Sequence, residues 1–421
     1  MVRFLSKQKN DMGKKELKKS LGFWDVLMFG VGGIIGAGIY AIIGKAATHG
    51  GNMLWLSFVI ASLVALLTGL SYAEFVSRFP DAGGSFEYIK QSFGKKTALY
   101  MSIFMTFTGF VAAAAIAISF AEYFSRLIET PSWIVVIGVV ALMAFFNIVG
   151  SKYSSYFNMF ATIVTLAGLI LVIAFSIPDI GSKNLLEMNS KGVNGIIAGA
   201  ALIFFSYIGF EDLVKMAEET KNPRVNMPWA IILSGVIVMV FYVLIAICSV
   251  STLGWEELSS SNGPLAAVIE SQWGAIGATI LVIVALFATS KTILSNILGT
   301  SRLLYDVARD SDISWLKRFT TLSGIGNTPN YAIISISILA IGFGLIGNLE
   351  VVASMSNIFI FIVFGMVNLG LILYRRDHPE AETPKFKVPL NFNNVSVLTF
   401  LALITIIVMF VYNIINLIKG Y

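Results

Sequence analysis

Apolar residues in this chain fall in long runs rather than in the short alternations of a strand or the one-sided stripes of a helix lying against water. Runs of roughly 20 apolar residues, enough for an α-helix to cross a ~30 Å hydrocarbon core, recur down the whole chain. The pattern predicts eleven spans, at about 22–48, 53–78, 97–127, 131–150, 154–177, 194–220, 227–252, 274–309, 330–347, 351–374 and 396–418. The first ten form two sets of five. The expected division is a basic tail (1–21), a first set (22–177), a connecting loop (178–193), a second set (194–374), a loop (375–395) and a last span (396–421). The segments between spans are about 20 residues at most, too short for a soluble domain, so the chemistry belongs in the membrane or at its faces. The first span runs well past a signal-peptide core and is expected to stay in place.

Two spans carry an interruption. Span one contains GVGGIIGAGIY, Gly30 to Tyr40, with five glycines in eleven residues. Each costs a helix about 1 kcal/mol against alanine. A Gly32–Gly36 GxxxG pair could bring two helices close. Gly36 to Ala41 also matches a GxGxxA fingerprint, but a dinucleotide site needs a strand before it, which a membrane helix does not supply. The third reading is a gap in the helix. A gap frees backbone N–H groups, and the amino end of the following half-helix adds a partial positive charge suited to a carboxylate. Span six favours it. There Ser206, Tyr207, Ile208 and Gly209 lie mid-span, and Glu211 and Asp212 follow. Acids at membrane depth usually face a cavity, and they sit well at a helix amino terminus. Interruptions in corresponding members of two sets point to a transporter binding site.

Composition agrees: 57% of the residues are hydrophobic and 13% charged, where soluble chains hold about 25% charged. The net charge of +5 reads as topology rather than nucleic-acid binding. With the amino terminus and every second loop taken as one side, that side carries 22 of the 29 Lys and Arg. The other carries Lys45, Arg126, Lys183, Lys191 and Lys419, while Lys215 and Lys291 lie within spans. The positive-inside rule then puts the amino terminus in the cytoplasm of a cell-membrane protein and, after eleven spans, the carboxyl terminus outside. One cysteine, Cys248, leaves no internal disulfide, and two histidines, His49 and His378, both expected in loops, argue against metalloenzyme or Cys/His hydrolase chemistry. No cofactor or metal is implied, and the oligomeric state is left open. The expected partners are the bilayer and a small-molecule substrate, an amino acid or amine.

The motifs IIGAGIY, SYAEFVSRFPDAGGSFEY (Ser71 to Tyr88), FFSYIGFED with AEETKNP, and SRLLYDVARD (Ser301 to Asp310) occur in an order and spacing that resemble the amino acid–polyamine–organocation transporter family. The resemblance covers spans one to ten. It implies an all-α membrane protein with the five-plus-five inverted-repeat, leucine-transporter-like fold, helices one and six broken. It further implies that the backbone of Gly36, Ala37 and Gly38 holds a substrate carboxylate. The α-amino group would go to carbonyls near Ile34 and of Phe205, Ser206 and Ile208. Phe205 falls where the family has an aromatic gate; by residue type alone it would be an ordinary core or lipid-facing phenylalanine. Glu74 and Arg78, four apart, can pair on a helix face beside the turn at Pro80, Gly83 and Gly84. Glu218, Glu219, Lys221 and Asn222-Pro223 close span six.

Many proton-linked relatives place a lysine in span five, its ammonium standing in a sodium site. Here FNMFATIVTLAGLILVI puts Thr165 at that position. Span eight, FATSKTILSNILGTSR, offers a substitute in Lys291, with Thr292, Ser295 and Asn296 near the ion position by resemblance. Lys291 shares a face with Ser295 and is expected beside the ion face rather than on it, or snorkelling to an interface. The function expected is secondary transport of an amino acid, proton-linked or by exchange. Glu211 motivates a polyamine or cationic amino acid carrier instead, since an acid there could neutralise a distal ammonium. Ile208 favours a slim side chain. A nutrient sensor on a transporter frame is a third possibility. An enzyme would need a catalytic constellation, and a channel a filter of repeated carbonyls; neither pattern is present.

Overall fold

The computed structural model describes residues 19–80, 83–311, 313–322, 328–380, 382–392 and 394–419, apart from the side chains of 151–153 and 310. Most of the basic tail (Arg3, Lys7, Lys9, Lys14, Lys15, Lys18), Asp81 and Ala82 of the span-two motif, and the side chains of Lys152 and Asp310 lie outside the described residues.

Fifteen helices follow one another among the described residues. The first two, α1 (Phe23–Ile34) and α2 (Ala37–Gly50), are too short to cross a bilayer singly; at 1.5 Å per residue they reach about 20 Å each. A 3-10 turn with Gly51 at φ +60° folds the chain into α3 (Leu54–Arg78). Then come α4 (Gly84–Phe93), α5 (Lys95–Phe124), α6 (Ser132–Val149) and α7 (Ser151–Ser176). The second half has α8 (Gly192–Ile203), a 3-10 turn Phe204–Tyr207, α9 (Phe210–Leu213) running into a 3-10 segment Val214–Glu219, and α10 (Pro223–Leu253). After α11 (Trp255–Ser260) comes α12 (Pro264–Asp310), bent at Gly274, then α13 (Asn330–Gly344) and α14 (Leu349–Asp377). A two-residue hairpin, β1 (Asn391–Phe392) and β2 (Val395–Ser396), leads into α15 (Val397–Lys419).

Among the described residues nine helical stretches are long and apolar enough to cross a membrane, and α1 and α13 are shorter apolar helices. Their outward faces hold large aliphatic and aromatic residues, such as Ile163, Ile170, Ile338 and Phe400. Such a belt is foreign to water and at home in lipid. The chain is an all-α, multi-pass membrane protein.

The structure differs from the sequence reading at several places, among them the short helix α11, which fell in an expected loop. The Gly83-Gly84 turn starts α4, a helix unread because Pro80 and the glycines mark a loop. The stretch α12 is two helical segments meeting at Gly274, whose backbone is not helical (φ +64°, ψ −165°); the segment from Pro264 up to that glycine was not read as a helix. His49 is helical, in the last turn of α2, and buried. The loop before the last helix carries the β1–β2 hairpin.

The halves interlock. α3 packs along α10, α5 along α12, α6 against α13, and α2 against α8. Each pair joins a helix of the first half to one of the second.

Candidate functional site

Both helix interruptions lie at the centre and face each other. α1 stops at Ile34; Ile35 is extended (φ −72°, ψ 92°) and Gly36 (φ −133°, ψ −148°) precedes α2. In the second half Ile208 is extended (φ −61°, ψ 130°) and Gly209 takes φ +130°. That conformation suits glycine, and a Cβ there would also lie 3.0 Å from the Gly33 carbonyl oxygen. A Cβ on Gly38 would lie 2.6 Å from the Cα of Ser206. The two backbones thus touch where the ends of α1 and α2 meet the interruption of the second half.

The polar groups freed by the interruptions meet specific partners. At the start of α2, the Ala37 N–H donates to Thr292 Oγ1 (3.1 Å), and Thr292 donates on to the Ala288 carbonyl (2.9 Å). The resemblance gives that amide to a substrate and puts Thr292 near an ion; in the structure the two are bonded to each other. At the end of α1, Tyr242 on α10 donates its hydroxyl to the Ile34 carbonyl (3.0 Å), with the Ser206 carbonyl 3.3 Å away. The Ile34 and Ser206 carbonyls expected to hold an amino group therefore already share one phenol between them. Each oxygen keeps a second lone pair. Sequence reading missed Tyr242, one tyrosine among apolar neighbours with no motif around it. Phe205 and Ser206 are buried and Ile208 half-buried. Glu211 turns back on its own helix: Oε2 accepts the Gly209 N–H at 2.8 Å, as a carboxylate at a helix start should. A small cavity, about 10 Å³, borders Ile34, Ser62, Tyr207 and Phe210.

Lys291 departs most from expectation. It is buried rather than snorkelling to an interface. It is 3% exposed, and its ammonium donates to the carbonyls of Gly32 and Ile35 (3.1 Å each) and to Thr162 Oγ1 (3.0 Å). Three N–H groups meet three neutral oxygens, and the positive charge sits at the carboxyl end of α1, where the helix dipole favours it. A helical wheel fixes only the direction in which Cβ leaves the helix; four torsions carry the ammonium across. The residue of α7 that meets Lys291 is Thr162, one turn before Thr165. Thr165 Oγ1 bonds the Ala161 carbonyl (2.6 Å), and its own carbonyl accepts from Tyr40 (3.0 Å). Ser295 reaches Asn158 Oδ1 at 3.3 Å and stands apart from the ammonium; Asn296, next to it on α12, is half-buried.

Both ends of the bundle are tied. At one, buried Glu74 accepts from Arg78 (2.8 Å), from the Val388 N–H (2.8 Å) and from Arg375 through Nε (2.9 Å) and a second guanidinium nitrogen. The expected Glu74–Arg78 pair exists, but the stronger partner comes from α14. Nearby, the Ser20 and Leu21 N–H groups donate to the Glu219 carbonyl (3.0 Å each) and Lys221 N–H returns a bond to Leu21 (2.9 Å), stitching the approach to α1 to the end of the second interrupted helix. At the opposite end, His49 Nε2 meets Glu350 Oε1 at 2.7 Å and its Nδ1 lies 3.4 Å from Lys191 Nζ.

The profile of the amino acid permease family matches residues 21–418. The chain belongs to the amino acid permease family. Among permease relatives, cationic amino acid transporter 1 of Arabidopsis thaliana is 29% identical over 387 residues, covering 87% of this chain and 64% of its own length. The branched-chain amino acid permease BcaP of Bacillus subtilis is 25% identical over 402 residues, covering 90% of this chain and 85% of its own. The methylthioribose transporter of the same bacterium is 26% identical, covering 89% and 85%. The chain therefore spans just under two thirds of the plant transporter and most of the bacterial ones.

Proposed function

We propose that this permease is a secondary active transporter of an amino acid, with the substrate held between the two helix interruptions. The observation that carries the reading is their mutual approach: the first turn of α2 touches Ser206 at Gly38, the end of α1 touches Gly209 at Gly33, and the Ile34 and Ser206 carbonyls meet at one phenol. N–H groups at a helix start suit a carboxylate, and carbonyls at a helix end suit an ammonium; an amino acid carries both. With the Ala37 amide capped by Thr292, the carboxylate falls to the Gly36 and Gly38 amides. The amino group takes the second lone pairs at Ile34 and Ser206 with the carbonyls of Phe205 and Ile208. Phe205 closes the site on one side.

The frame we read is two sets of five helices in inverted repeat plus an eleventh. α1 and α2 count as one crossing, as do α8 and α9. Its support is the pairing of first-set helices with their second-set counterparts, α3 with α10, α5 with α12 and α6 with α13, as packing about a two-fold axis would give. The basic loops orient the amino terminus to the cytoplasm of a cell membrane. Lys291, bridging α12, α1 and α7, occupies a pocket of oxygens in place of a bound cation, so transport is sodium-independent and linked to protons or to exchange.

The relatives' names diverge, so the side-chain preference rests on chemistry here. A cationic amino acid is the second reading: Glu211 spends one oxygen on Gly209 and has the other to offer. A transporter-like sensor would bind without moving its ligand. Counterflow of labelled alanine, leucine, arginine and putrescine in proteoliposomes separates the three. Exchange of an amino acid is the expected result, accumulation of putrescine alone favours an amine carrier, and binding without exchange favours a sensor.

A further inference from the structure

Ser206 sits in the 3-10 turn before the second interruption and is 2% exposed. Among the described residues its Oγ has no hydrogen-bond partner. Other buried hydroxyls share that state, among them Ser71, Ser119 and Ser249, but those lie on continuous helices. There a serine can turn its hydroxyl onto the carbonyl one turn back, as Ser62 does onto Phe58 at 2.6 Å. Ser206 instead sits in a 3-10 turn at the interruption, and the carbonyl four residues back, at Leu202, already accepts from the Asn357 side-chain amide (3.3 Å) while the Ser206 hydroxyl is turned elsewhere.

The direction of the hydroxyl is equally specific. A Cβ built on Gly38 would lie 3.0 Å from Ser206 Cβ and 3.1 Å from its Oγ, so the hydroxyl stands beside the first turn of α2. That helix has 14 residues, and the amides of its first turn have no acceptor within the helix. The Ala37 amide is spoken for by Thr292. The remaining amides and the orphaned hydroxyl all donate, and the dipole of α2 adds positive potential at the same point. An acceptor-only group with a negative charge satisfies all of these donors together; an ammonium could use only the hydroxyl, as an acceptor, and would leave the amides unmet.

We propose that the Ser206 hydroxyl donates to the carboxylate of the bound substrate, and that this contact makes the site select α-amino acids over amines of the same side chain. The inference rests on the amino acid reading above and adds a side-chain reader to the backbone cradle. The hydroxyl is left buried and unsatisfied until a carboxylate arrives, so a ligand without one forfeits a hydrogen bond that the site has already desolvated.

The test compares L-arginine with agmatine and L-leucine with 3-methylbutylamine, pairs that differ only in the carboxylate, and includes the amino acid methyl esters, which lack its charge. Binding to purified full-length protein is measured for wild type and Ser206→Ala. The expected result is about a 10-fold loss of affinity for the amino acid, the scale of one hydrogen bond to a charged group, with little change for amine or ester. Unchanged amino acid affinity overturns the proposal, and so does equal weakening of the acid and of the analogues without a carboxylate, which marks a packing effect. Should Ser206→Ala fail to fold, Ser206→Gly removes the same hydroxyl without crowding Gly38. A wild-type protein that binds none of the amino acids overturns the transport reading itself, a failure distinct from loss of selectivity in a protein that does bind.

Discussion

Gly38 has no space for a side chain. A Cβ there meets backbone, the Ser206 Cα at 2.6 Å, so the strain is relieved only by parting the two interrupted helices. Gly38→Val is therefore expected to abolish amino acid binding while leaving a protein that inserts and extracts normally, read by ligand-induced thermal stabilisation of the purified chain. Retained binding would remove this contact from the site. Gly209→Ala is milder in volume but falls at φ +130°. It should lower stability by about 1–3 kcal/mol, seen as a reduced melting temperature. These two positions were legible in the sequence, because an unbroken membrane helix seldom carries so many glycines together or acids placed as they are just after Gly209. Tyr242 was not: nothing local separates a tyrosine that caps two carbonyls from one that fills space. Lys291 was half legible. Its depth followed from the span, but its aim follows from side-chain torsions and from Thr162, a residue 129 positions away.

At the scale of elements, α2 is held at its far end by one imidazole. His49 meets Glu350 at Nε2 and Lys191 at Nδ1, so one ring ties α2 to α14 and to the segment before α8. Asn189 adds bonds to the carbonyls of Thr48 (3.1 Å) and His49 (2.9 Å). We expect His49→Ala to raise backbone hydrogen exchange over the last two turns of α2 and over 185–191 by about tenfold, the loss of roughly 1.4 kcal/mol of local stability. Exchange in α15, which does not share the latch, should stay as in wild type. Unaltered exchange in α2 would mean that Asn189 alone holds the end. Sequence reading placed His49 in a loop because the glycines at 50 and 51 follow it at once. The ring lies one residue inside the helix end, where boundary prediction is weakest.

For the whole molecule, two devices join parts remote in sequence. Glu74 and Arg375 are 301 positions apart, both buried, with Val388 and Asn391 bonded to them, so the segment before α15 is anchored to α3 and α14 together. Removing one member leaves the other charged and dry. Glu74→Gln should destabilise by about 3–5 kcal/mol, lowering the detergent melting temperature, and should open residues 382–392 to proteolysis. An unchanged melting temperature would show that water reaches the pair. The second device is Lys291, which crosses from α12 to α1 and α7. On the proposed reading those carbonyl and hydroxyl oxygens, which would suit a sodium ion, are filled by a tethered ammonium. Uptake by proteoliposomes should therefore be the same in sodium as in choline. If the lysine exchanges a proton during the cycle, an inward proton gradient speeds uptake in wild type, because the neutral amine gives up at least one of its three bonds and loosens α1. Lys291→Gln should then bind substrate but ignore the gradient. If transport is instead by exchange, only internal substrate drives it, and Lys291→Gln should slow turnover under either condition. Steep sodium dependence in wild type would overturn the assignment, since two cations cannot share that pocket. A gradient response retained by Lys291→Gln would move the proton site to another residue.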